Sequence, residues 1–136
     1  MSRQKFCFSF NTYNQALEII KICKNNNITP ILFVKSNLIE GLGLDWLREL
    51  RNMILNNYKN KDYNMYVDVR KNYGLFISLV EEKINFIKVQ ANNEMYLKLK
   101  QIAKINKVLI NPNFSVVDLS KSKNKVEKLK KLLKKN

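Results

Sequence analysis

The sequence predicts a single α/β domain in which five mainly parallel strands alternate with helices in three layers. Five apolar runs are separated by stretches whose apolar residues recur at helical spacing, and the connections are short. Near-continuous apolar runs such as Ile31–Val34 indicate strands that are covered on both faces of a sheet. Two architectures give this order of elements: a flavodoxin-like, doubly wound sheet, and half of a (β/α)8 barrel that pairs with a second copy.

The first unit is a strand over residues 5–10 followed by a helix over residues 14–24. Asn11 is expected to end the strand, because its side chain can start a turn or cap a helix. Asn25–Asn27 is expected to end the helix, because asparagine tolerates left-handed backbone conformations. The helix has apolar residues at helical spacing, namely Ala16, Ile19, Ile20 and Cys23.

The second unit is a strand over residues 28–36 and a helix over residues 44–58. Pro30 must lie near the start of the strand, where a missing hydrogen-bond donor is tolerated. Gly41 and Gly43 predict a short loop before the helix. One face of that helix carries the apolar residues Leu47, Leu50 and Ile54.

The remaining units repeat the pattern. We expect strands at 63–69, 85–90 and 107–111, and helices at 72–83 and 93–105. A lysine-rich helix at 120–135, capped by Asp118 or Ser120, completes the single domain of residues 1–136. Its narrow apolar stripe indicates a helix that covers the sheet, and this stripe comprises Val126, Leu129, Leu132 and Leu133.

The net charge of +14 suggests a polyanion partner, but its distribution does not favour nucleic acid. Residues 120–136 carry eight lysines against Glu127 alone, and lysine outnumbers arginine 21 to 4 over the chain. Planar, bidentate recognition of phosphate and bases favours arginine. Abundant lysine, asparagine and isoleucine are what an AT-rich coding sequence produces. Binding of nucleic acid through the basic tail remains an alternative.

The chain reads as a cytoplasmic protein without a membrane span. Its apolar runs are far shorter than the ~20 residues that a spanning helix requires, and residues 6–10 are too short for the apolar region of a signal peptide. Cys7 and Cys23 occupy apolar positions of a strand and a helix. We therefore expect buried thiols rather than a disulfide or a metal site.

Ligands of either architecture bind beyond the carboxyl ends of the strands. The loops predicted there are amide-rich and carry more basic than acidic side chains, so we expect them to hold a small phosphorylated or carboxylated ligand. The expected ligand-binding residues are Lys35, Ser36, Arg70, Lys71, Asn92 and Asn113.

Asp68 is a carboxylate at the end of a predicted strand, in a place suited to proton transfer. It is the one catalytic candidate, and the alternative is that it caps Asn72 or pairs with Arg70. Other catalytic templates are missing. The chain has no histidine, no phosphate-binding loop and no dinucleotide fingerprint, and no metal or cofactor is expected.

Residues 28–90 resemble the class II, zinc-dependent fructose-bisphosphate aldolases, which are (β/α)8 barrels. Ile39-Glu40-Gly41 followed by Leu44–Leu55 is similar to the family's tyrosine-alanine-glycine segment and helix. Tyr66–Arg70 falls on the family's histidine-x-aspartate-histidine-glycine motif. The resemblance implies a proton-transfer role for Asp68. Tyr66 and Val69 stand where the family has histidines, and valine cannot coordinate zinc, so the zinc-dependent reaction is not implied.

The sequence thus favours a non-catalytic binding or interaction module, a degenerate aldolase-like domain that binds a small anionic ligand. A second copy of the chain, in a homodimer, is a further candidate partner. The alternative enzyme would use Asp68, alone or with Lys35, for metal-independent proton transfer.

Overall fold

The computed structural model describes residues 6–119 and 125–134 and contains one sheet of six parallel strands. The strands are β1 (Cys7–Ser9), β2 (Ile31–Val34), β3 (Asn64–Arg70), β4 (Phe86–Val89), β5 (Leu109–Ile110) and β6 (Val116–Asp118). The helices are α1 (Tyr13–Asn25), α2 (Ser36–Leu55), α3 (Tyr73–Glu81), α4 (Asn93–Ile105) and α5 (Lys125–Lys134). The predicted parallel sheet alternating with helices is confirmed. No helix in the described ranges is long and apolar enough to cross a membrane.

The strand order is β5-β4-β3-β2-β1-β6, so consecutive strands are neighbours from β1 to β5. This sequential order is that of successive strands in a (β/α)8 barrel, whereas a flavodoxin-like sheet has the order 2-1-3-4-5. Of the two architectures left open by the sequence, the half barrel therefore matches the observed order.

All five helices pack on one face of the sheet. Their buried residues form a single cluster with every second residue of the strands, including Phe8, Leu32, Val67 and Ile87. Cys23 of α1 is fully buried in this cluster, and Cys7 is buried on the other face. Burial raises the pKa of both thiols to about 12, as expected for cysteines that act as small apolar side chains.

The other face of the sheet is covered differently. Residues 111–115, which we call the strap, connect β5 at one edge to β6 at the other. Phe114 of the strap contacts Tyr66 and Phe86 in the middle of the sheet, with ring centroids 5.9 and 5.0 Å apart. The chain therefore crosses this face, which we call the strap face. Within the described residues, the third layer is this strap and not a helix.

The strap shows that the sheet is curved. Between Ile110 and Val116 the chain takes six Cα steps, which reach about 21 Å when fully extended. On a flat sheet the strap would have to cross five strand spacings and also run back along the strands by the length of three residues. The straight-line distance between its ends would then be about 26 Å. The sheet therefore curls toward the strap, as the wall of a barrel does.

Several boundaries differ from the sequence-based expectations. A helix was expected from residue 44, but α2 begins at Ser36, and of the short loop expected around Gly41 and Gly43 only Gly43 departs from helical geometry, where it forms a kink (φ 85°, ψ 173°). Leu38 and Ile39 supply an apolar side in this first part of the helix. Pro30 directly precedes β2, as expected. The last helix is described over residues 125–134, and residues 120–124 and 135 of the predicted span lie outside the described residues.

The expected cap of this last helix, Asp118 or Ser120, concerns a helix start within residues 120–124, which lie outside the described residues. Asp118 ends the sixth strand, which the sequence analysis had not predicted, and lies beside Ser9 in the pairing of β6 with β1. Val116 and Val117 favour an extended backbone because both are β-branched.

Candidate functional site

The site predicted from the loops lies at the carboxyl edge of the sheet, where all six strands end. The described residues include the starts of four helices at this edge, those of α1 to α4. In three of these helices a capping side chain accepts a hydrogen bond from an N–H of the first turn. Thr12 accepts from Gln15 N at 3.2 Å, Asn72 from Leu75 N at 3.0 Å and Asn92 from Met95 N at 2.8 Å. The fourth helix, α2, begins differently.

Lys35 occupies the N-cap position of α2, and its side chain makes no capping hydrogen bond. Lysine has no acceptor atom, so it cannot satisfy the N–H groups of the first turn. Leu38 N and Ile39 N donate to the carbonyl of Lys35, at 3.1 and 3.2 Å. The N–H groups of Ser36 and Asn37 come before these first hydrogen bonds of the helix. The start of α2 therefore presents main-chain donors beside a lysine and the buried Ser36.

Lys35 lies in a polar cluster on the strap face. Its Nζ is 3.4 Å from Oδ1 of Asp118, and the Oγ of Ser9 donates to the same oxygen at 2.9 Å. Ser9 is almost fully buried, while the side chains of Lys35 and Asp118 are 27% and 43% exposed. The pairing brings the ends of β1, β2 and β6 together around one carboxylate.

The end of β3 contributes a turn with a strained backbone. Arg70 has φ 52°, a left-handed conformation that is uncommon for residues other than glycine, and its N–H donates to Oδ1 of Asp68 at 3.0 Å. Asp68 thus stabilises the turn through a backbone contact, which supports the structural alternative for this residue. Asp68 also lies opposite Lys88 in the pairing of β3 with β4. Arg70 and Lys71 are exposed.

The two predicted asparagines have different surroundings. Asn92 is engaged as the cap of α4. Asn113 is exposed in the strap. The first residue of the strap, Asn111, is held to β4 by its side chain. Asn111 donates to the carbonyl of Val89 at 3.0 Å and accepts from the N–H of the same residue at 2.8 Å. The strap therefore leaves the sheet at a fixed point on the carboxyl edge.

The structure places Lys35, Ser36, Arg70 and Lys71 at the carboxyl ends of two adjacent parallel strands, β2 and β3. Val34 pairs with Val67, so β3 extends three residues beyond the end of β2. Asn92 follows the next strand, and Asn113 approaches through the strap. Sequence analysis missed Ser9, Lys88 and Asp118. The alternation of β1 and β4 could have placed Ser9 and Lys88 on one face, but the position of Asp118 depends on β6, which lies 109 residues from β1 along the chain.

The middle of the strap face is apolar and aromatic. Tyr66 contacts Phe33, Phe86 and Phe114, with centroid distances between 4.9 and 6.4 Å. Burial raises the pKa of Tyr66 to about 12, with smaller contributions from Cys7 and Asp68. Tyr66 stays protonated, and the polar cluster lies above an aromatic floor.

The described residues do not bring three metal-ligating side chains of the cysteine, aspartate or glutamate type together. The chain matches no protein-family model and no curated protein.

Proposed function

We propose that this protein is a non-catalytic binding module for a small phosphorylated or carboxylated ligand, held at the carboxyl edge of the sheet beside the start of α2. The observation that carries the proposal is that α2 begins at Lys35 without a side-chain cap, while Thr12, Asn72 and Asn92 cap α1, α3 and α4, which begin at the same edge. Main-chain N–H groups and the positive end of the helix dipole favour an anion at such a position.

Basic side chains of the neighbouring loop support the same proposal. Arg70 is the last residue of β3, the strand that pairs with β2, and Lys71 follows it; both are exposed. Together with Lys35 and Lys88 they outnumber the carboxylates described near the strand ends, those of Asp68 on β3, Asp118 on β6 and Glu94 in the first turn of α4. The resulting excess of positive charge attracts an anion, and the guanidinium of Arg70 offers the fork of donors that phosphate and carboxylate accept.

The pairing of Lys35 with Asp118 does not prevent ligand binding. Both side chains are partly exposed, and an ion pair of this kind contributes only about 0.2–1 kcal/mol. A ligand phosphate that also accepts from main-chain N–H groups offers Lys35 a stronger partner. Asp118 then acts as a competing anion that weakens the affinity for the ligand.

The sequential strand order is that of successive strands in a (β/α)8 barrel, and this order fits the barrel-like scaffold that the proposal assumes. In our proposal the chain keeps the ligand end of such a scaffold and has lost the metal ligands. A proton-transfer role for Asp68 stays a prediction, because its Oδ1 is engaged by Arg70 N in the turn after β3.

The proposal is tested by calorimetry and thermal shift with inorganic phosphate and a panel of phosphorylated and carboxylated metabolites, at low and moderate salt. We expect one class of ligand to stabilise the fold. Lys35→Met and Arg70→Met should each weaken the ligand about tenfold, which corresponds to the loss of one charge-assisted hydrogen bond. Asp118→Asn should strengthen binding, because it removes the competing charge but keeps an acceptor for Ser9.

The matched control is Lys130→Met, which removes one positive charge from the exposed side of α5. It should leave the affinity unchanged. Equal weakening in Lys130→Met and Lys35→Met would show that only the net charge matters. No stabilisation by any ligand of the panel would contradict the proposed function.

A further inference from the structure

The strap face has two levels near the carboxyl edge, one aromatic and one charged. Three aromatic residues of β2, β3 and β4 are direct partners in the register, so their side chains form a row across the sheet. We call them the aromatic row, which comprises Phe33, Tyr66 and Phe86. Side chains alternate along a strand, so the next ones on the same face come two positions later. They are Lys35, Asp68 and Lys88, and this charged level lies on the carboxyl side of the aromatic row.

The strap covers the aromatic row on its β4 side. Phe114 contacts Tyr66 and Phe86, with ring centroids 5.9 and 5.0 Å apart. Phe33 lies on the other side of Tyr66, at a centroid distance of 4.9 Å, and it is partly exposed although β2 lies inside the sheet. Its register partner on β1 is Ser9, whose small side chain cannot cover an aromatic ring. Phe33 therefore keeps apolar surface that solvent reaches.

Solvent reaches this ring from the carboxyl edge. The residues one level nearer the amino edge on the same face, Cys7 and Ile31, are each only 1% exposed. On the carboxyl side, the side chains of Lys35 and Asp118 are both partly exposed. Apolar surface in contact with water is unfavourable, so a ligand that covers it gains binding free energy. The exposed part of Phe33 therefore borders the proposed anion site.

The distance between Phe33 and this site suits a small molecule. Lys35 has an extended backbone, with φ −64° and ψ 151°, so the strand geometry continues beyond the end of β2. The Cα atoms of Phe33 and Lys35, two positions apart, are therefore separated by about 6.6 Å. The few bonds of a phosphate ester or of a short carboxylic acid span such a length. An anion bound at the start of α2 thus places the rest of its molecule next to Phe33.

We propose that the ligand carries a planar aromatic ring, joined to its phosphate or carboxylate group by a short linker, and that this ring packs on Phe33. The inference rests on the proposed function and specifies the second group of the same ligand. Aromatic rings prefer offset or edge-on packing at centroid distances of about 4.5–7 Å, the range found among the rings of this face. A ligand ring extends the aromatic row by one member, whereas an aliphatic group gains only the burial of apolar surface.

A small molecule fits this place better than a polynucleotide, although both combine phosphate with planar rings. A polynucleotide needs a groove along which successive bases stack on side chains. Here the strap crosses the same face from β5 to β6, with Phe114 packed on Tyr66 and Phe86, so the surface beside Lys35 takes a single ring. Preferred binding of an oligonucleotide at this place is therefore a result that would contradict the proposal.

The test compares methyl, cyclohexyl and phenyl phosphate by calorimetry at about pH 8, where all three esters are dianions. We expect phenyl phosphate to bind about tenfold more tightly than methyl phosphate and about threefold more tightly than cyclohexyl phosphate. Nuclear magnetic resonance of the 15N-labelled full chain locates the ligand. Methyl and phenyl phosphate should both shift the amide signals of Lys35 and Ser36, and phenyl phosphate should also shift those of Phe33 and Tyr66.

The outcomes separate this inference from the proposed function. Binding of none of the three esters contradicts the proposed function itself. Equal binding of methyl and phenyl phosphate leaves that function standing and overturns the aromatic ligand, and so does equal binding of cyclohexyl and phenyl phosphate. Tighter binding of a single-stranded oligonucleotide than of phenyl phosphate, with shifts of the same amide signals, also overturns it.

Phe33→Leu tests whether the preference for a ring belongs to Phe33. Leucine keeps an apolar side chain but removes the ring, so phenyl phosphate should lose its advantage while methyl phosphate keeps its affinity. The matched control is Phe6→Leu, because Phe6 is also partly buried but stacks on Phe8 in the helix-side core. It should change neither affinity. A tenfold preference that survives in Phe33→Leu overturns the assignment, and the comparison of the three esters tests the proposal even if this variant does not fold.

Discussion

Replacing Phe114 by alanine should destabilise the domain by about 2 kcal/mol, although this residue belongs to a connection without regular structure. Phe→Ala changes at fully buried positions cost about 3–5 kcal/mol. Phe114 is partly buried, which reduces this cost, but it makes two edge-on ring contacts, with Tyr66 and Phe86, that add to the area it buries. For a chain of 136 residues, a loss of about 2 kcal/mol corresponds to a Tm lower by about 8 °C.

The assay is urea unfolding followed by far-ultraviolet circular dichroism and by the fluorescence of Trp46, which is the one tryptophan of the chain. Leu97→Ala is the control, because Leu97 is 61% exposed on α4 and its truncation should change the free energy of unfolding by less than about 0.5 kcal/mol. If Phe114→Ala were as mild as Leu97→Ala, the strap would not be packed against the sheet, and the argument for a curved sheet would fail.

Two further predictions concern the backbone and the pH dependence. Lys83→Gly should raise the free energy of unfolding by about 0.5–1 kcal/mol in urea, because Lys83 has φ 58° directly after α3, where glycine is free of strain; a loss of stability would contradict this reading of the turn. Asp62→Asn should reduce the decrease of the free energy of unfolding that occurs as the pH is lowered. The hydrogen bond from the N–H of Lys59, followed by the contact with Lys24, lowers the pKa of Asp62 below its ordinary value of 3.8. The ionised carboxylate therefore stabilises the fold above pH 3.8. This stabilisation is lost as the pH falls through the lower pKa that Asp62 has in the folded protein. Acid titrations of both proteins followed by circular dichroism test this, and parallel curves below pH 5 would rule out the contribution of Asp62.

The fold was predictable where local signals agree with the tertiary structure. Asn27 ends α1 in a left-handed conformation, with φ 59°, as the asparagine run predicted. The same conformation recurs at Lys83 and Lys107, after α3 and α4, where the sequence offers no glycine and gives no local signal. Strand and helix types were therefore predictable, while several boundaries depended on packing.

The candidate site was predictable only in part. The ends of β2 and β3 follow from simple alternation, so Lys35 and Arg70 could be placed at one edge from the sequence. Asp118 could not, because its place beside Ser9 depends on a strand of three residues that pairs across 109 residues. So short a strand has too little periodicity to be distinguished from the cap of the following helix.

The pairing of the first described strand with the last one also bears on how the protein is made. During synthesis, at about 5–20 residues per second, roughly 5 to 20 s separate the emergence of Ser9 from that of Asp118. Until then one edge of β1 has no partner from β6, and an unpaired edge is a template for association with other chains. The cluster of Ser9, Lys35 and Asp118 is completed only when this edge closes, so a nascent chain should acquire the proposed anion site last.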